Sequence, residues 1–206
     1  MLRSTGFSAA AGHRLSSGTV TSALVSYAIL SRLLYVVFVG TALRREERDE
    51  RYTRRYGREA GFRRFRRAAS IIMNHDAFAF ILLCVLTRNT IVGSFPRAAM
   101  VAVGVTLTVV GVGVKIWAAR TLGSNAYYWH NFFDPEAAQG PVATGPYRFA
   151  SNPMYTIGYL QTYGLALILA SLPGLICAAF AQAAILTFYF LVEKPHFERL
   201  HHTVGP

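Results

Sequence analysis

The sequence predicts an all-α membrane protein with about five transmembrane helices, a C-terminal helical hairpin, and a cytoplasmic loop and tail. Three observations lead there. Of 206 residues, 53% are apolar and 15% are charged, an unusual balance for a soluble chain. Five apolar stretches, about 19–43, 69–87, 97–119, 154–172 and 174–192, approach the roughly 20 residues a helix needs to cross a hydrocarbon core. Eleven arginines and five acids crowd between Arg44 and Arg67, a local charge of +6 within a total of +11.

The first 18 residues, MLRSTGFSAAAGHRLSSG, combine Arg3 and Arg14 with small residues and no acid, the composition of a flexible tail or a transit peptide. Residues 19–68 then hold the first span and a basic arm, and residues 69–206 a membrane core. Arg32 sits at the middle of the first span, where facing lipid would cost about 3 kcal/mol, so it should face protein or snorkel. In the arm, Glu47 and Arg51, Glu50 and Arg54, and Glu59 and Arg63 stand at i,i+4, which predicts a helix continuing past the span. Tyr52, Tyr56, Phe62 and Phe65 interleave with the arginines. That pattern suits RNA or an anionic leaflet; the tether between spans favours the leaflet, and no nucleic-acid partner is expected.

The second span opens on Asn74, His75 and Asp76, with His75 and Asp76 read as solvated interface groups or as a proton pair. The third carries Gly104, Gly111 and Gly113, which permit close helix contact, and ends on Lys115, Trp117 and Arg120 as interface anchors. Ser171–Gly174 is too short to join the last two spans as anything but an antiparallel hairpin. Cys84 and Cys177 lie in apolar runs, so neither a disulfide framework nor a four-ligand zinc site is expected, and no metal is assigned.

Arginine bias puts segment 44–67 in the cytoplasm, and with five spans both the 120–153 region and the tail from Glu193 share that face. Thr121–Tyr155 is too long for a simple connector and dense in Gly, Pro and aromatic residues, as binding loops are. The hairpin brings Tyr155, at the start of one helix, near Glu193, at the end of the other. Pro195 is expected to stop the last helix.

The pattern TGPYR (Thr144–Arg148), NPMY (Asn152–Tyr155), an apolar hairpin and VEKP (Val192–Pro195) resembles the integral-membrane S-adenosylmethionine-dependent methyltransferases, over roughly residues 97–200. That group includes phospholipid N-methyltransferases and isoprenylcysteine carboxyl methyltransferases. The resemblance implies S-adenosyl-L-methionine enclosed at the cytoplasmic face between the loop and the acid. Pro141, Val142 and Ala143 would line it, Tyr147 and Arg148 would contact it, and Asn152, Pro153, Met154 and Tyr155 would form the turn beneath. Glu193 would bind a polar group of the cofactor. Gly123 stands where the phospholipid branch has a glycine pair, of which this chain has one member.

Two departures narrow the acceptor. The chain has SNP where the carboxyl methyltransferases show RHP, and Phe188–Glu193 contains no basic residue, so a carboxylate there would lose its hydration uncompensated. Both favour an amine-headed lipid such as phosphatidylethanolamine, entering from the bilayer. Methylation of isoprenylcysteine or another lipophilic acceptor is the alternative, and a non-catalytic membrane protein the third. An amine must lose a proton before it attacks, and Glu193, His130, Glu198 and His196 are candidate bases; His196, His201 and His202 also read as a solvated tail. Tyr155, Tyr159 and Tyr163 recur every four residues as one stripe, either for helix packing or as a substrate-binding wall for a methylated ammonium. The topology is checked with Tyr56→Cys: a membrane-impermeant maleimide should label it from the cytoplasmic side only, and labelling from outside would invert the assignment.

Overall fold

The computed structural model describes residues 5–93, 95–123, 125–134 and 144–203, with side chains from Gly18 to Leu200. Among the described residues seven α-helices follow one another: α1 (Thr5–Asp49), α2 (Arg51–Tyr56), α3 (Arg58–Leu86), α4 (Arg97–Leu122), α5 (Leu160–Ile168), α6 (Leu172–Phe188) and α7 (Lys194–Thr203). A π-helical turn, Tyr189–Glu193, joins α6 to α7 without a break. Helix α1 starts at Thr5, inside the stretch 1–18 whose composition suggested a tail.

Among the described residues four helical stretches are long and apolar enough to cross a membrane: Gly18–Asp49, Arg58–Leu86, Arg97–Leu122 and Leu172–Leu200. The expected span 154–172 is not one of them. Its helical part is Ile157–Ile168, about 18 Å at 1.5 Å per residue, which falls short of a 30 Å core. Hydropathy counts apolar side chains and is blind to the 3-10 turn at Ile157–Tyr159 that interrupts them.

The long helices keep their apolar side chains outward. Leu34, Val37, Phe78, Leu86, Val109 and Ile176 are all more than half exposed, as on a surface that meets lipid. Inside, α1, α3 and α6 pack around Leu43, Val39, Phe65 and Ile185, and the loop after α4 adds Trp129, Phe132 and Phe133. Helix α4 packs chiefly on α5. Its glycines make the α4–α5 contact possible: a Cβ at Gly104 would meet the Gly164 carbonyl at 2.8 Å, and one at Gly111 would overlap the Gln161 backbone nitrogen. The pairing of 104 with 164 and 111 with 161 makes the two helices antiparallel. Arg97 caps α5, donating to the Ile168 carbonyl at 2.6 Å.

The basic arm is a corner, not one continuing helix. Glu50 takes a left-handed φ of 49° and Gly57 a φ of 78°, so the six residues of α2 turn the chain back into α3. Buried Glu46 caps α2, its Oε2 accepting from the Tyr52 amide at 2.6 Å and its Oε1 from the Thr53 amide at 3.1 Å. Two of the three expected ion pairs form, Glu50–Arg54 at 3.4 Å and Glu59–Arg63 at 3.7 Å. Glu47 instead accepts from His196 at 2.8 Å and Arg199 at 2.6 Å, tying α1 to α7. Phe62 and Phe65 are buried core, and Arg64 lies 4.2 Å over the Tyr56 ring.

His75 and Asp76 lie mid-helix on the α1–α3 seam, where the solvated interface reading had put them at a helix end. His75 Nε2 is 2.8 Å from the Tyr27 hydroxyl and its Nδ1 3.0 Å from Ser31 Oγ. Asp76 accepts the Arg32 guanidinium at 2.6 Å. Arg32 therefore faces protein, as its cost in lipid requires.

Pro195 does not end the last helix. It has no N–H to give the Leu191 carbonyl four residues back, and Arg44 donates to that carbonyl instead, at 2.9 Å. At the other end of the hairpin, Ser171 Oγ accepts from the Gly174 amide at 2.9 Å and is bonded to Thr87 at 2.6 Å, both buried. Gly111→Ala should destabilise the protein in detergent by about 1–3 kcal/mol through overpacking. Gly113→Ala, where nothing lies within 4 Å of an added Cβ, should hold or raise the thermal midpoint; equal midpoints would remove the close α4–α5 contact.

Candidate active site

Three segments distant in sequence converge on one carboxylate. The first is the loop after α4, in which Trp129 separates two short 3-10 turns, Ala126–Tyr128 and His130–Phe132, with a left-handed φ of 58°. Its buried indole donates Nε1–H to Glu193 Oε1 at 2.5 Å. The second is the turn before α5. Gly145 has φ 58°, and a Cβ there would meet Thr121 Oγ1 at 2.5 Å, so glycine lets the GPYR turn sit on the end of α4. Asn152 Oδ1 accepts from the Tyr155 amide at 3.1 Å, an Asx turn that fixes the tyrosine, and Pro153 is fully buried beneath it. Tyr155 then donates its hydroxyl to the same Glu193 oxygen at 2.6 Å.

The third is the π turn. Its wider winding leaves Phe190 and Leu191 exposed and buries Val192 and Glu193, the glutamate being 5% exposed. Both donors meet Oε1, which leaves Oε2 without a hydrogen bond among the described residues. A carboxylate oxygen left open in that way can accept from a cation or another donor. Nearby, the Tyr147 hydroxyl is buried without a partner among the described residues. Burial first, and then the Glu193 charge, push its pKa up, so it stays protonated as a donor.

Beside this wall lies a cavity of about 470 Å³ between α1, α3, α4 and α5. Trp129, Met154, Tyr155 and Tyr159 line one side; Arg32, Asp76 and Lys115 reach it from the helices. Phe188–Glu193 brings no basic residue, but cations enter the cavity from α1 and α4.

The sequence candidates divide accordingly. Glu193, Asn152, Pro153, Met154 and Tyr155 come together, with Tyr147 close enough to feel the Glu193 charge. Arg148 is exposed at the end of its 3-10 turn, and Gly123 caps α4 with φ 80°. Pro141, Val142 and Ala143 lie outside the described residues. Glu198 is exposed and pairs with Lys194 at 3.8 Å, while His130 packs edge-on to Phe62 at 4.5 Å. His196 is buried, stacked 3.6 Å from Phe132, so it is no solvated tail. The tyrosine stripe is broken. Tyr155 precedes the helix, Tyr159 donates to the Ala181 carbonyl at 3.3 Å and Tyr163 to Gln182 at 2.7 Å. Trp129 was missed; its signal was a tryptophan in a polar loop predicted to share a face with a buried acid.

The profile of the family described as phospholipid methyltransferase matches residues 99–203. Similar curated proteins include phosphatidylethanolamine N-methyltransferases of Sordaria macrospora and Neurospora crassa, each 32% identical over 144 residues. One from Uncinocarpus reesii is also 32% identical over 144 residues. In each case the match covers 69% of this chain and 15% of the relative, so the chain spans about 15% of the length of the relatives it matches. No solved structure matches it. The matched region runs from the start of α4 through the Glu193 wall to α7, and on that extent the chain belongs to the phospholipid methyltransferase family.

Proposed function

We propose that the chain transfers a methyl group from S-adenosyl-L-methionine to the amine headgroup of a phospholipid such as phosphatidylethanolamine, at the cytoplasmic side of a membrane. The observation that carries the proposal is a buried carboxylate, Glu193, walled by Trp129 and Tyr155 and adjoining a cavity between membrane helices. The residues present fit the cofactor. The Glu193 carboxylate and the Tyr147 hydroxyl, which has no partner among the described residues, would hold its polar groups, and the faces of Trp129 and Tyr155 suit a cation. When bound, S-adenosyl-L-methionine supplies a methyl group already activated on a sulfonium.

The protein's part is placement and proton handling. Asn152 sets Tyr155, and Tyr155 with Trp129 orients the carboxylate by two donors on one oxygen. Of the candidate bases, Glu193 is the one hydrogen-bonded to residues that line the cavity, so its Oε2 is assigned to receive the ammonium proton. The apolar helices around it keep bulk water from competing. The arginine excess of 44–67 supports the cytoplasmic assignment.

Glu193→Gln, by losing a charge-assisted bond, and Asn152→Ala, by releasing Tyr155, should each weaken cofactor binding about tenfold or more by calorimetry, while membrane insertion stays normal. Unchanged affinity in both would displace the site. Offered labelled cofactor, purified protein should methylate phosphatidylethanolamine and leave a prenylcysteine acid unlabelled; the reverse preference would assign carboxyl methylation, and no labelling of either would end the enzyme reading.

A further inference from the structure

The charges lining the cavity do not cancel. Arg32 is paired with Asp76 at 2.6 Å, yet its Nε is buried with no hydrogen-bond partner among the described residues. Lys115 forms no ion pair among the described residues; its ammonium lies 5.2 Å over the Tyr159 ring, and the Arg32 guanidinium lies 6.0 Å from the same ring. With Arg32, Asp76 and Lys115 as its charged lining residues, the cavity carries one net positive charge at the depth of the membrane helices. A half-buried cation without a counter-ion is costly in apolar surroundings, and such groups mark ligand paths. Phe80, Ile81, Val112 and Leu165 extend the lining between α3 and α4, where Ile81 and Val112 are exposed.

We propose that this cavity is a phosphodiester site, in which Lys115 and Arg32 hold the phosphate of a glycerophospholipid and the acyl chains leave between α3 and α4. One negative charge on the diester balances the cavity's one positive charge. Tyr155 lines the cavity and bonds to Glu193, so a zwitterionic headgroup lies across that shared wall with its phosphate towards Lys115 and its amine towards Glu193. Gly158 is part of the design: a Cβ there would meet Lys115 Cγ at 2.7 Å, so a larger residue would push the lysine out of place. The methyl acceptor named here rests on the function proposed above; the anion site rests on the cavity.

The test uses the full chain in a phosphate-free detergent, with Lys115→Gln and the charge-keeping Lys115→Arg. Three probes are offered: dioleoyl phosphatidylethanolamine, the phosphate-free long-chain amine sphingosine, and inorganic phosphate. Lys115→Gln should raise the KM for phosphatidylethanolamine about tenfold or more, with kcat and cofactor affinity held, and should lose the phospholipid retained by the wild type in native mass spectrometry. Lys115→Arg should restore both, and the KM for sphingosine should not move. Unchanged KM and retention in Lys115→Gln would overturn the proposal, as would equal loss on both lipids, or displacement of the lipid by inorganic phosphate. A wild type that retains phosphatidylethanolamine through Lys115 but methylates nothing would overturn the methyl-transfer reading and leave the phosphodiester site standing. A wild type that does not retain it would overturn the site itself.

Discussion

A carboxylate held among membrane helices has to find its hydrogen bonds inside the protein, because neither water nor lipid will supply them. Glu193 finds them on Trp129 and Tyr155, and that need ties three otherwise independent segments into one wall. Each segment carries its own local device for reaching the carboxylate. The left-handed residue at Trp129 reverses one loop, the Asn152 turn fixes the next, and the π turn rotates Glu193 inward. Removal of any one of the three would leave a buried polar group unsatisfied.

The same rule organises the seam between α1 and α3. Arg32 with Asp76, and His75 with Tyr27 and Ser31, meet each other's needs at membrane depth, so two helices with polar residues at their centres become a specific pair. At the basic corner Glu46 and Glu47 point in opposite directions, one capping α2 and the other reaching α7 through His196 and Arg199. The arm is therefore part of the fold as well as a charged surface.

What sequence could show was set by range. The hairpin and the meeting of Tyr155 with Glu193 were legible because a four-residue connection allows one geometry. The Asn152 turn was legible through its NP signal, and the close α4 contact through glycine spacing. Partners across long loops were not. That Arg32 would find Asp76, or that Glu47 would leave Arg51 for His196, depends on packing that no local pattern encodes. Pro195 misled because a proline breaks an α-helix by default, and the rescue came from Arg44, 151 residues earlier, and from a π turn with no signature of its own. The expected fourth span misled because apolar composition and helical continuity are separate properties.

That short helix has a further consequence. Antiparallel α5 occupies the half of α4 nearest Ile168, and beyond Gln161 the neighbouring backbone is turn, with Gly158 against Lys115. The dielectric boundary is thus drawn inward along one side of the bundle: hydrogen-bonding backbone and side chains extend down to a level where a full-length helix would have left only hydrocarbon. Polar groups are thereby carried to a depth that a full-length span would have closed to them.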